Sequence, residues 1–325
     1  MVLAAVLAFA LIRLAGHFAF QELEAKEPTQ TVIFQPPIVL PSEEELAAAA
    51  PELDSPRFAD ITFHQLRKED FFTILLAGVD DGNGGSDTII LASLDVRNKA
   101  IAAVSIPRDT KAVVKGRFHK INNAYNQGGI DLLAATVSNQ LGIPIDYTME
   151  IDLTGFAALV DAIDGVDFDV PLDMDYDDEL QDLYIHVSAG MQHLDGETAL
   201  KVVRFRHNND GSGYGSQDVG RMGTQQKFLK AVAKKMLSPA SIPKLTRFVK
   251  IFRQYVDTDL TLPNLMWLGQ KAIDIGPEGV EFFTLPSSWR NPYMYADPKE
   301  TLRLINAHFN PYEEDRWMED LNLPG

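Results

Sequence analysis

Three apolar segments follow one another so closely that they leave the chain few options. They are residues 72–79 (FTILLAGV), 87–95 (DTIILASLD) and 100–107 (AIAAVSIP). Each has the length and composition of a buried strand. The second and third are joined only by residues 96–99, which predicts a hairpin. Between the first and second lies DDGNGGS (80–86), a turn-prone loop. With the hairpin turn centred near residue 97 or 98, Asp87 falls opposite Arg108. The spacing therefore predicts that Asp80, Asp87, Arg108 and Asp109 gather at one edge of a sheet.

Downstream, helical spacing alternates with further strands. Gly129–Leu141 carries apolar residues at 130, 133, 134, 137 and 141. Thr154–Ile163 reads as a short helix and Val166–Val170 as a strand. The Asp-rich stretch 173–182 reads as a solvated loop, because it lacks the ligand order of a calcium-binding EF-hand. Asp195 is placed to cap a helix that runs to Arg204, Phe205 and Arg206. A helix is predicted from Gln217 or Asp218, with Met222, Leu229, Val232, Ala233 and Met236 on one stripe. Towards its start the same stripe passes through Gln225, Arg221 and Asp218. An inward polar row at a helix start lines a site or forms an anchoring salt bridge, since buried charge is costly unless paired. Leu262–Ile273 looks helical, Val280–Leu285 looks like a strand, and this last part reads as completing the same domain.

The N-terminus has a different character. Val2–Ile12 is uninterrupted apolar sequence, and with Arg13 and His17 as breaks the apolar stretch reaches Phe20. That suits a membrane anchor, a signal anchor or a signal-peptide core. Residues 21–60 hold six of the 18 prolines, together with Glu43, Glu44, Glu45 and an alanine run at 47–50. Such a segment is a tether rather than a folded unit. The net charge of −17 argues against general nucleic-acid binding, which rests on neutralising phosphates. The absence of cysteine excludes disulfides, thiol chemistry and cysteine-ligated zinc.

In so acidic a chain, phosphate binding requires positive charge placed locally. Arg108, Arg204, Arg206 and Arg221 each fall at the end of a predicted element. Arginine suits phosphate because its planar fork donates paired hydrogen bonds and stays charged. Asp80 and Asp87 suit magnesium, a hard cation that shares oxygen ligands with phosphate. No GK[ST] follows the glycine loop, no HExxH is present, and no G-x-S-x-G elbow occurs.

The runs GVDDGNGGSDTIILASLD, SIPRDT, HKINNAYNQGG, LDGETALKVVRFR and SQDVGRMGTQQKFL together resemble the LytR–CpsA–Psr family, in the family's order, over about residues 72–230. The resemblance implies a three-layer α-β-α fold with a central mixed sheet and an apolar groove for a lipid chain. It implies one extracellular domain behind an N-terminal membrane helix of the cell membrane. The expected layout is an anchor at 1–20, an acidic Pro-rich linker at 21–68 and the catalytic domain at 69–325. The implied activity is a phosphotransferase that moves a phosphate-linked glycopolymer from a polyprenyl-pyrophosphate carrier onto peptidoglycan.

Carried over residue by residue, the resemblance puts Mg2+ (or Mn2+) on Asp80 and Asp87. It puts the pyrophosphate oxygens on Arg108, Arg204, Arg206 and Arg221. Asp109 and Asp218 orient those arginines or act as base, Lys120 and Asn122 shape the rim, and Gln225 is a polar contact to substrate. This chain departs from the family in two places. Its 81–86 loop has no arginine, with Gly82 and Gly85 where one is common, and Thr224 stands where arginine commonly precedes the paired glutamines. Two other readings share the same residues: a non-catalytic surface protein that binds lipid-linked pyrophosphate or wall polymer, and a lipid-pyrophosphate hydrolase.

Overall fold

The computed structural model describes residues 66–79, 85–179, 182–214, 217–236 and 254–325, together with Leu23 and Phe252. The expected anchor at 1–20, nearly all of the expected linker, Asp80, and the side chains of Asp87 and Asp218 lie outside the described residues. Among the described residues no helix is long and apolar enough to cross a membrane.

The three closely spaced apolar runs form the middle of the molecule. They are β1 (Phe71–Val79), β2 (Ser86–Asp95) and β3 (Ala100–Ile106). Three more strands join them: β6 (Tyr147–Asp152), β11 (Val256–Thr258) and β12 (Val280–Thr284). The order across the sheet is β11-β6-β1-β2-β3-β12. The β1–β2 and β2–β3 pairs are antiparallel, whereas β6 runs parallel to β1 and β12 parallel to β3, so the sheet is mixed. The C-terminal part supplies both edges, which makes it part of the same fold.

Both faces of this sheet are buried, and the alternation along each strand shows it. Phe72, Ile74 and Leu76 of β1 enter one core with Ile90, Ala92 and Leu94 of β2. Leu75 and Ala77 of β1 enter a second core with Ile89 and Leu91. The first core is closed by α2 (Leu153–Ala162), α3 (Gly196–Arg204), α4 (Gln217–Met236) and α5 (Leu262–Ile275). Trp267 of α5 meets Phe72 edge to face at 5.5 Å. The second core is closed by α1 (Asn122–Leu141) and by Ile305 and Phe309 of a π-helical turn that follows α6 (Pro298–Leu304). The result is the three-layer α-β-α arrangement.

Helix α1 begins well before the expected Gly129, because the helical run continues through a kink at Gly128 and Gly129. Gly129 has φ +64°, a left-handed backbone that glycine takes without strain. Apolar periodicity starts only beyond that kink, which hid the first turns. The Asp-rich stretch 173–182 differs from the expected loop. It holds β8 (Met174–Asp178), paired with β9 (Leu183–Val187). Met174 is buried and Tyr176 and Asp178 half-buried on one face, while Asp175 and Asp177 point outward. The outward pair brackets His186, whose Nδ1 is 2.7 Å from Asp175 and Nε2 3.2 Å from Asp177. Further strands also lay beyond the sequence reading: β6 and β11 of the central sheet, β4 (Lys111–Val114) with β5 (Arg117–Lys120), β13 (Ser287–Arg290) with β14 (Tyr293–Ala296), and β10 (Gly190–Leu194), which pairs with the expected strand β7 (Val166–Val170).

Candidate active site

Extending the β2–β3 register two residues beyond Ile89↔Ile106 brings position 87 level with position 108, as the hairpin argument required. Val79 and Ser86, the chain neighbours of Asp80 and Asp87, pair across β1 and β2. At this end of the sheet a cavity of about 760 Å³ opens between the strand ends, α2, α3 and α4.

Arg108 reaches the cavity from the turn after β3. That turn is pinned on both sides. Thr110 N–H and its hydroxyl donate to Pro107 O at 2.9 and 2.6 Å. Asn122 N–H donates to Arg108 O at 3.2 Å, and Ile121 N–H to Thr110 O at 2.8 Å. The SIPRDT and KIN segments are therefore one hydrogen-bonded unit. Asp109 and Lys120 are not wall residues. They stand behind Arg108, with Asp109 Oδ1 3.1 Å from Lys120 Nζ and 3.8 Å from Arg108 Nε. Asn122 does form part of the wall.

Arg204 and Arg206 arrive from the end of α3. Asp195 accepts a hydrogen bond from Thr198 N–H at 2.8 Å and so caps the start of that helix. These hydrogen bonds to Thr198 hold the Asp195 carboxyl below its ordinary range. At the other end Phe205 leaves the helical conformation at φ −58°, ψ 135° and is fully buried. Its ring packs edge to face on Tyr214 at 5.6 Å. This single anchor sets the two flanking arginines, both of which line the cavity.

Arg221 and Gln225 come from the first turns of α4 and also line it. Gln225 Nε2 donates to Val203 O at 2.8 Å, which ties α4 to one of the carbonyls that the end of α3 leaves without a helical partner. Gly220 lets this part of α4 lie close to Tyr214, since a Cβ there would sit 2.5 Å from the tyrosine Cβ. Thr224 is buried and its hydroxyl donates to Gly220 O at 3.2 Å, so this position adds no charge.

The rest of the wall divides into two kinds. Leu153, Phe156, Leu200, Val203 and Leu229 give an apolar side. Tyr176 and Asp178 of β8, with His207, give a polar roof that the sequence reading missed. Tyr176 donates to Asp178 Oδ2 at 3.3 Å and meets the His207 ring edge to face at 5.4 Å. Burial raises the Tyr176 hydroxyl pKa, the Asp178 charge adds to the rise, and the Arg206 charge opposes it. His207 directly follows the arginine motif, which was the one signal available for it. Tyr176 and Asp178 sit inside the acidic run, where only strand alternation distinguishes them.

Among the described residues no group of three or more His, Asp or Glu side chains is arranged to hold a metal ion. Four arginines converging on one cavity, in a protein of net charge −17, make a local anion site beside an apolar wall.

The chain belongs to the LytR_cpsA_psr family, which matches residues 42–308. A relative from Bacillus cereus, named polyisoprenyl-teichoic acid–peptidoglycan teichoic acid transferase TagU, is 38% identical over 202 residues. The match covers 61% of this chain and 63% of that protein's length. The crystal structure of B. subtilis TagV aligns with a TM-score of 0.61 at 29% identity, covering 73% of this chain and 95% of that one. A structure of TagT bound to LIIa-WTA aligns with a TM-score of 0.57 at 25% identity, covering 73% and 88%.

Proposed function

We propose that this protein is a phosphotransferase that moves a phosphate-linked glycopolymer, of the teichoic acid class, from a polyprenyl-pyrophosphate carrier to peptidoglycan. The observation that carries the reading is the convergence of Arg108, Arg204, Arg206 and Arg221 on one cavity that has an apolar side of Leu153, Phe156, Leu200, Val203 and Leu229. The arginines bind the pyrophosphate oxygens and the apolar wall takes the first isoprene units. A hydroxyl of the peptidoglycan attacks the phosphorus that bears the polymer and gives up its proton. A new P–O bond forms, the bond to the bridging pyrophosphate oxygen breaks, and polyprenyl phosphate leaves with the electron pair. Charge that develops on the transferred phosphoryl group and on the leaving phosphate is met by donors already in place, and this is how such sites lower a barrier. Asp109, held between Arg108 and Lys120, acts as an orienting group. Gln225 and Asn122 complete the polar wall, and Asp218 is assigned to arginine orientation or to proton uptake.

Asp80 and Asp87 are assigned to magnesium, or manganese. Their chain neighbours Val79 and Ser86 are paired at the strand ends, and the cavity wall there includes Val79 and Thr88. Two carboxylates beside a pyrophosphate are the donor set a small hard cation takes. When bound, the cation supplies positive charge against the pyrophosphate oxygens. In the same reading residues 1–20 anchor the protein in the cell membrane, residues 21–68 are the tether, and 69–325 form the catalytic domain outside the cell.

The test is transfer itself. The purified protein is mixed with a synthetic polyprenyl-pyrophosphate-linked sugar, magnesium and peptidoglycan fragments, and products are read by mass spectrometry. The proposal expects a joined phosphodiester product that is lost in Asp87→Asn. Free sugar phosphate without joining would make the protein a hydrolase. Binding of the lipid substrate with neither product, unchanged in Asp87→Asn, would make it a binding protein.

A further inference from the structure

Two small hairpins, of which the proposed chemistry uses only Lys120, stand side by side at the back of Arg108. The β4–β5 hairpin and the β13–β14 hairpin are joined to the Arg108 turn through the Thr110↔Met294 bridge and through Met294 N–H, which donates to Asp109 O at 2.9 Å. Their side chains interleave rings and cations. Lys111 Nζ lies 4.4 Å from the centre of the Phe118 ring and 4.8 Å from that of Tyr295. The Arg290 guanidinium lies 5.1 Å from the Tyr295 ring on its other neighbour strand, and Tyr293 meets Tyr295 edge to face at 6.3 Å. Lys111 Nζ also donates to Gly325 O at 2.6 Å.

This strip is open to solvent. Phe118 is 59% exposed, and Arg290 is exposed as well. The hairpin's other face is buried through Ala112 and Val114, so Phe118 presents its ring outward. The cation–ring contacts hold the rings in fixed orientation, so binding them costs little conformational entropy. The strip is cationic in a chain of net charge −17, and so its charge is local.

We propose that this strip docks the acceptor, a glycan strand of peptidoglycan. The inference rests on the transfer reading above and adds the place where the second substrate is held. Sugar rings offer flat C–H faces to Phe118 and Tyr295, and the carboxylates of the strand's peptide stems pair with Lys111 and Arg290. A polyol-phosphate polymer has the anions but few ring faces, so the aromatic component favours the acceptor over the donor. A membrane surface is disfavoured because the whole domain, strongly anionic, is repelled from anionic lipid. The position fits as well, since the strip continues through Asp109 to Arg108 on the cavity wall.

The experiment is co-sedimentation of the full chain with peptidoglycan sacculi freed of attached polymer. The double substitution Phe118→Ala with Arg290→Ala is compared with wild type, and a melting curve verifies that the fold is kept. Arg221→Ala, a cavity substitution, is run in parallel. The expected result is sacculus affinity lowered about tenfold in the double variant and unchanged in Arg221→Ala. Because binding is read without turnover, that pattern stands even if the transfer reading fails. Equal sacculus binding by the double variant and wild type would overturn the proposal. So would loss, in the double variant alone, of binding to phosphatidylglycerol vesicles or of self-association, with sacculus binding kept.

Discussion

Phe205 illustrates how single residues build this site. Its ring is fully buried against Tyr214, and its extended backbone ends α3 between two arginines. A core contact thereby fixes the aim of two charged side chains. The arginines themselves act through geometry as well as charge. Replacing Arg204 or Arg221 with alanine is expected to lower the transfer rate about a hundredfold, the loss typical when one preorganised donor to a developing charge is removed. Lysine at the same positions is expected to restore little, because an ammonium is a point charge without the guanidinium fork. Initial rates for the four variants, with melting temperatures alongside, check this. Recovery of full rate by lysine would show that the positions supply only charge.

Helix α3 carries Arg204 on its last turn, so its start bears on the site. Removing the cap with Asp195→Ala is expected to cost about 1 kcal/mol at neutral pH. The capping carboxyl is held below its ordinary value of 3.8 by its hydrogen bonds to Thr198. A group depressed in this way contributes stability that is present above the unfolded pKa and lost as pH falls through the folded one. The gap between wild type and Asp195→Ala in urea unfolding therefore narrows on acidification below about pH 3.8. A gap that widens there would contradict the cap. At this scale the sequence was legible where apolar runs were long. The β1–β2–β3 meander, its register, α2, α3, α4, α5 and β12 follow from periodicity and from capping or turn residues. Several of the hidden elements have a plain physical reason. Strands β4, β5, β13 and β14 are four residues each, too short for a period. In β8, aspartates occupy both faces, so alternation of burial leaves no trace in polarity. The cavity's arginines were visible because each ends a legible element, whereas Tyr176 and Asp178 belong to a hairpin that was not.

Across the whole molecule, the sheet draws on distant parts of the chain, and one buried ion pair ties them. Arg67 donates from Nη1 to Asp146 Oδ1 at 2.9 Å and from Nη2 to Oδ2 at 2.8 Å. Asp146 also accepts from Thr73 N–H and hydroxyl at 2.9 and 3.0 Å. Leu66 and Lys68 on either side pair with Glu313 and Pro311, so the chain's entry and its C-terminal part meet here. Arg67→Ala leaves a carboxylate that is wholly buried without its cation, and is expected to cost about 3 kcal/mol in urea unfolding. A cost under about 1 kcal/mol, the range of a surface pair, would contradict that. The pair lies away from the cavity wall, so activity in the folded fraction is expected to persist.

The central claim is that one cavity holds the pyrophosphate and the start of the lipid. A crystal structure of the protein with a short-chain polyprenyl pyrophosphate and magnesium tests it most directly. The account predicts phosphate oxygens within hydrogen-bond reach of Arg108, Arg204, Arg206 and Arg221, with the isoprene units along Phe156 and Leu229. A pyrophosphate bound elsewhere, or a lipid chain that avoids that apolar wall, would contradict it.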